Sequence, residues 1–159
     1  MKRIATIILL FGLIVKAEAK IKKEDIKSNI SYVSLQSAGC NGSCPNYKIE
    51  LYNSGLVRYS GYNSVKDIGV YEAFIGTSMI MSIFHDFEYC QVDTCQANYN
   101  TNAEDPSGMH IAFNYKASIY TIKNADLGPK FLKQLANEID AAVKVDPSWK
   151  KVDKKAANN

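Results

Sequence analysis

The run Tyr47-Lys48-Ile49-Glu50-Leu51-Tyr52, followed by Asn53-Ser54-Gly55 and then by Leu56-Val57-Arg58-Tyr59, decides the fold of this chain. The first run alternates, with every second side chain from Tyr47 to Leu51 on one side, as in a strand that buries one face. Asn53-Ser54-Gly55 matches a three-residue hairpin loop with glycine in the left-handed position. The two runs are therefore predicted to be neighbouring antiparallel strands.

Similar patterns predict further strands and two helices. The additional strands are expected at Ile30 to Leu35, Val65 to Tyr71, Ile111 to Tyr115 and Ser118 to Lys123. A first helix, capped by Thr77 or Ser78, has an apolar face made of Met79, Ile80, Ile83, Phe84 and Phe87. A second helix opens at Gly128-Pro129, and its apolar stripe is Phe131, Leu132, Leu135, Ile139 and Val143. The order ββββ-α-ββ-α, with about six strands, predicts an α+β fold in which two helices cover one face of an antiparallel sheet.

The first 19 residues have the layout of a bacterial signal peptide. Lys2 and Arg3 precede an apolar run from Ile4 to Val15, and Ala17 and Ala19 supply small residues before a cleavage point. The run is shorter than the roughly 20 residues that a membrane-spanning helix needs. No cysteine follows Ala19 to accept a lipid. We expect an exported protein, periplasmic or extracellular, that is not a lipoprotein and keeps no integral membrane segment.

Length and charge predict one exported domain. We expect a flexible N-terminal segment over 20–29, a single α+β domain over 30–149 and a disordered polar tail over 150–159. The net charge of +3 falls to +1 after removal of residues 1–19, which carry three basic residues and one acidic residue. A nucleic-acid-binding domain normally carries a basic stripe. The charge therefore predicts no nucleic-acid partner.

Four cysteines, Cys40, Cys44, Cys90 and Cys95, lie in the exported part, where disulfides form and persist. Three pairings are compatible with the sequence. Long crosslinks would stabilise the fold more, but the turn-forming run from Cys40 to Cys44 can bring its ends within bridging distance. Proximity favours bridges between Cys40 and Cys44 and between Cys90 and Cys95.

Two functional interpretations of the cysteines compete with structural disulfides. A zinc site is disfavoured, because the gaps of three and four residues differ from the usual Cys-x-x-Cys spacing. A redox-active pair at Cys40 and Cys44, followed by Pro45, stays an alternative, although the spacing of disulfide oxidoreductases is also Cys-x-x-Cys.

No set of side chains indicates a reaction. Asp105, Ser107 and His110 are the residue types of a hydrolase triad, but Asp-Pro and Ser-Gly are also ordinary turn sequences. His85 is expected on the polar face of the first helix. We predict no catalytic residue, no metal ligand and no cofactor.

Ten tyrosines invite a binding interpretation, because exposed rings can stack on sugars or on peptide side chains. Four of them, Tyr47, Tyr59, Tyr71 and Tyr115, fall on predicted strands, where aromatic residues are favoured for packing alone. The packing interpretation is preferred.

The pattern Cys40-x-Gly42-x-Cys44-Pro45-x-Tyr47, with Gly55 and Gly69 further on, resembles an uncharacterised family of bacterial secreted proteins, the domain of unknown function 6438. Val57 and Tyr59 follow Gly55 as in that family, and the later features agree: Tyr99 ahead of Asp105-Pro106, a strand pair, a helix ending near Ile139-Asp140, and Trp149 shortly beyond. It implies an envelope or extracellular setting but supplies no activity. Cys90 and Cys95 are additions to the family pattern, which implies that they pair with each other.

We therefore expect a non-catalytic exported domain that binds a protein or an envelope polymer such as a glycan. The alternative is a thiol-disulfide redox protein that uses Cys40 and Cys44.

Overall fold

A computed structural model of the chain describes residues 27–39, 43–100 and 108–152. The predicted signal peptide over 1–19 and most of the predicted flexible segment over 20–29 lie outside these ranges. Residues 153–159 of the predicted tail lie outside them as well.

The described part contains strands and two long helices. The strands are β1 (Tyr32–Ala38), β2 (Asn46–Tyr52), β3 (Leu56–Asn63), β4 (Gly69–Phe74), β5 (Met109–Tyr115), β6 (Ser118–Ile122) and β7 (Lys150–Val152). The helices are α1 (Thr77–Tyr89) and α2 (Lys130–Ala142). Short 3-10 turns at Val92–Thr94 and Ala125–Leu127 precede β5 and α2, respectively.

The strands form one antiparallel sheet in the order β6-β5-β1-β2-β3-β4-β7. Strand β1 lies between β2 and β5, with Val33 opposite both Leu51 of β2 and Phe113 of β5. The predicted α+β class is confirmed, but the sheet has seven strands among the described residues instead of about six.

The hairpin from β2 to β3 forms as predicted, with Leu51 paired to Val57. Gly55 adopts a φ of 93°, which side chains disfavour. A Cβ at this position would also overlap the ring of Phe74. Both observations explain why the loop carries glycine here.

The additional strand β7 corrects the predicted tail, which was expected to be disordered from residue 150 onward. Lys150 and Lys151 pair with Glu72 and Tyr71 of β4. The pairing uses backbone groups at the edge of the sheet, so it needs no alternation of apolar residues. The Lys-Lys-Val sequence of β7 consequently did not predict a strand.

Two predicted boundaries also change. The fourth strand begins at Gly69 instead of Val65, because β3 runs on to Asn63 and Ser64 then turns with a φ of 53°. Gly76, and not Thr77 or Ser78, occupies the N-cap of α1, without a side-chain capping bond. Met79, predicted for the apolar face, is 48% exposed.

Both helices pack on the same face of the sheet. Phe87 of α1 contacts Phe113 of β5 edge to face, with ring centroids 5.9 Å apart. Tyr47 of β2 lies on the same side of the sheet as Phe113 and donates a hydrogen bond to Asp140 of α2. The buried core between the layers includes Val33, Leu35, Ile49, Leu51, Ile80, Phe84, Ile111, Phe113, Leu132 and Ile139.

The predicted bridge between Cys90 and Cys95 is not formed, since both residues are free thiols. Cys90 ends α1 through a bond from its N–H to the carbonyl of Asp86, and Gln91 then turns the chain with a φ of 52°. Cys95 follows a 3-10 turn, and the backbone N–H of the next residue, Gln96, donates a hydrogen bond to the Tyr99 hydroxyl at 3.2 Å. Both side chains are half-buried at the margin of the apolar core.

Cys44 is disulfide-bonded. Its predicted partner, Cys40, lies outside the described residues, so the pairing stays a prediction. Within the described ranges, no helix is long and apolar enough to cross a membrane.

Candidate ligand-binding site

Three tyrosines from adjacent strands lie side by side on the helix-covered face of the sheet. Tyr59 of β3 is opposite Tyr71 of β4, and Tyr47 of β2 is its diagonal neighbour because Ile49 is paired to Tyr59. The rings of Tyr47 and Tyr59 are stacked, with centroids 5.9 Å apart, and the rings of Tyr59 and Tyr71 are tilted at 6.5 Å. We call these residues the tyrosine row.

Two members of the tyrosine row, Tyr47 and Tyr59, line an open pocket of about 380 Å³, which we call the tyrosine pocket. One wall is the end of α2 and the residues after it, and the other is the loop after β3. The lining residues are Pro45, Tyr47, Ile49, Tyr59, Ser64, Val65, Lys66, Asp67, Asp140, Val143, Lys144 and Val145. Both aromatic and charged groups therefore face one cavity.

Tyr47 and Asp140 join the sheet to α2 at the base of this pocket. The Tyr47 hydroxyl lies 2.8 Å from Oδ1 and 2.9 Å from Oδ2 of Asp140, so its one hydrogen is shared between the two oxygens. Burial raises the pKa of Asp140, and the bond from Tyr47 opposes that rise. Burial and the bond to Asp140 both raise the pKa of Tyr47. The phenol consequently stays a donor that orients the carboxylate.

The opposite wall depends on a glycine. Gly61 of β3 lies beneath the loop after this strand, and a Cβ on Gly61 would collide with the backbone carbonyl of Asp67. Because glycine has no Cβ, the loop can approach the sheet closely. This approach places Asp67 in the pocket lining.

The acidic and basic side chains of the pocket differ in their burial. Asp67 and Asp140 are half-buried, whereas Lys66 and Lys144 are exposed at the rim. Burial, and after it the charges of Asp67 and Asp140, raise the pKa of Tyr59. The phenol of Tyr59 therefore lies in the negative field of both carboxylates.

Only part of the predicted family signature can be located. Pro45 and Tyr47 line the tyrosine pocket, and Cys44 directly precedes them. Gly55 lies in the hairpin loop at the other end of β2. Residues Cys40, Gly42, Asp105 and Pro106 lie outside the described residues.

Of the three residues noted in the sequence as the types of a hydrolase triad, the structure describes only His110. Asp105 and Ser107 lie outside the described residues, and Nδ1 of His110 accepts the backbone N–H of Asn124 at 3.2 Å. His85 lies in α1, with Nδ1 3.3 Å from Oε2 of Glu88. In the part of the chain that the structure describes, no group of three or more His, Cys, Asp or Glu residues is arranged to hold a metal ion.

Neither carboxylate of the pocket was predicted from the sequence to line a binding site. A signal for Asp140 was present, because it lies four residues after Ala136 and three before Val143, both of which are buried. Residues at these spacings share a helix face. Asp67 gave no such signal, since its position depends on the loop folding back over Gly61.

The antiparallel sheet, with two helices on one face and an open aromatic pocket at their margin, defines an α+β domain. The chain belongs to the family described as a domain of unknown function, DUF6438, whose model matches residues 31–143. The matched range includes the whole lining of the tyrosine pocket except Lys144 and Val145. A search of curated proteins found no match.

Proposed function

We propose that this chain is a non-catalytic exported domain that binds a protein or an envelope polymer through the tyrosine pocket. The observation that carries the proposal is the pocket itself, in which an aromatic surface is combined with a carboxylate oriented by Tyr47. Ligand sites in proteins are typically concave, with apolar or aromatic walls and a few placed polar groups. The tyrosine pocket has this composition.

The proposal includes export through the signal peptide at 1–19, to the periplasm or the exterior. It also includes the disulfide between Cys40 and Cys44, which would close a short loop beside Pro45. Closing a loop of about five residues stabilises a fold by roughly 2 kcal/mol in the chain-entropy model. The bridge would therefore hold the chain where it enters the pocket wall.

The test is retention of the purified mature protein on isolated envelope polymer and on immobilised fractions of the secreted proteins. We expect Tyr59→Ala to weaken retention by about tenfold or more, equivalent to about 1.4 kcal/mol. Tyr62→Ala is the matched control, because Tyr62 is 49% exposed and not in the pocket lining. Melting curves of each variant identify any loss of folding.

Two outcomes would contradict the proposal. One is that the wild-type protein is retained on none of these materials. The other is that folded Tyr59→Ala is retained as well as Tyr62→Ala, since the ligand would then bind elsewhere.

The alternative function, thiol-disulfide exchange at Cys40 and Cys44, is favoured by one observation. Cys44 is disulfide-bonded and exposed, directly before Pro45. A redox titration of the purified protein separates the two functions. A structural bridge is expected to reduce below roughly −300 mV, whereas disulfide catalysts reduce near roughly −120 to −200 mV.

A further inference from the structure

Two carboxylates line the tyrosine pocket, those of Asp67 and Asp140. Among the described residues, neither Asp67 nor Asp140 forms an ion pair, although Lys66 and Lys144 also line the cavity. Both carboxylates are half-buried. Withdrawing such a charge from water is costly unless it gains a partner. The pocket therefore contains negative charge that a bound cation would compensate.

The aromatic residues favour the same kind of ligand. The faces of tyrosine rings are negative and attract ammonium and guanidinium groups within about 6 Å of the ring centre. Lys151 already makes such a contact at the other end of the tyrosine row, with Nζ 5.4 Å from the centroid of Tyr71. Tyr59 adds a phenol oxygen between the fields of Asp67 and Asp140. A cation in the pocket would gain from rings and carboxylates together.

The two lysines at the rim of the pocket restrict the kind of molecule that can supply this cation. Lys66 and Lys144 are exposed on opposite walls, so a polymer with repeated positive charges would be repelled on both sides. A lone basic side chain with acidic neighbours would instead place its own charge inside and the opposite charges beside the two lysines. This layout is provided by a protein segment more readily than by an amino-sugar polymer.

We propose that the tyrosine pocket binds a single lysine or arginine side chain of a partner protein, in a segment where acidic residues flank the basic one. Asp140 and Asp67 accept hydrogen bonds from the bound cation, and Tyr59 contacts it. Lys66 and Lys144 pair with the flanking acidic side chains. The inference rests on the proposed function, because it names the partner of the same pocket.

The experiment titrates the mature protein with short synthetic peptides and follows amide chemical shifts. The probes have a central lysine or arginine between two glutamates, with alanine spacers, and the control peptide has norleucine at the centre. We expect the basic peptides to shift residues of the pocket and to bind at least about tenfold more tightly than the norleucine peptide. Raising the salt concentration should weaken this binding, since the contacts are charged.

Matched variants test the role of Asp140. Asp140→Asn should weaken binding of the basic peptides by about tenfold while keeping an oxygen that accepts the Tyr47 hydrogen bond. The control is Asp93→Asn, which also removes one negative charge but does so outside the pocket. Asp93 is near Lys116, a residue of the turn between β5 and β6, and its loss should leave peptide binding unchanged.

Equal binding of the norleucine peptide in the pocket would overturn the inference and leave the proposed function standing. Binding of a chitosan oligosaccharide, but not of the basic peptides, in a manner that requires Asp140 would overturn the choice of a protein partner. Failure of every probe, together with failure of the retention test, would overturn both proposals.

Discussion

Tyr47 and Asp140 connect strand β2 to helix α2 through one shared hydrogen. The hydroxyl of Tyr47 reaches both oxygens of Asp140, and both side chains are half-buried. A bond from a neutral donor offsets only part of the cost of burying a carboxylate. The pKa of Asp140 accordingly remains raised, with burial as the main cause.

The raised pKa of Asp140 predicts how stability depends on pH. The folded protein holds the Asp140 proton more tightly than the unfolded chain, whose pKa is near the ordinary 3.8. Its contribution to stability is therefore present below that value and is lost as pH rises through the folded pKa. We expect Asp140→Asn to gain stability relative to the wild type on going from pH 3 to pH 7. Urea unfolding across this pH range measures the change.

The control for this prediction is Asp93→Asn, which should not produce the same trend. A wild-type protein that gains stability relative to Asp140→Asn as pH rises would contradict the prediction. That result would mean that the carboxylate has a stronger partner in the folded state than the Tyr47 hydroxyl.

Strand β3 and the loop after it act as one structural element of the pocket. The strand supplies Tyr59, and Gly61 permits the loop to fold back and present Asp67. Gly61 thus determines the position of Asp67.

Gly61→Ala tests this arrangement. The added methyl group would collide with the carbonyl of Asp67, so the loop has to move away from the sheet. Overpacking of this kind typically costs about 1–3 kcal/mol. We expect a loss of stability in this range by urea unfolding, together with weaker binding of the basic peptides. Unchanged stability and binding would show that the loop is not held against the sheet.

At the largest scale, the described part of the molecule is held together by one apolar layer between the sheet and the helices. Phe113 of β5 is fully buried in this layer, with the ring of Tyr120 stacked at 5.2 Å and the ring of Phe87 edge-on. Contacts from a neighbouring strand and from α1 thus meet on a single side chain.

Phe113→Ala should destabilise the protein by about 3–5 kcal/mol, the range for removal of a buried aromatic ring. Phe74→Ala is the control, because Phe74 is 69% exposed. We expect the control to cost less than about 1 kcal/mol. Thermal and urea unfolding of both variants measure the difference, and similar losses would show that Phe113 is not central to the core.

Local periodicity determined most of the fold. The alternation in β2 and β3 and the turn at Gly55 predicted the hairpin, and the apolar stripes predicted α1 and α2. These signals are readable because each residue's face is fixed by the geometry of its own element. The family membership could likewise be inferred from the pattern around Cys44, Pro45 and Tyr47, and the family model matches residues 31–143.

Tertiary structure alone decided the features that join distant parts of the chain. Strand β7 exists through backbone pairing to β4, and the pocket exists because Asp67 and Asp140 reach the tyrosine row from a loop and a helix. The sequence likewise did not predict the free thiols of Cys90 and Cys95, which lie on either side of the turn at Gln91. Such contacts depend on which elements pack together, and the period of a single element carries no information about its neighbours.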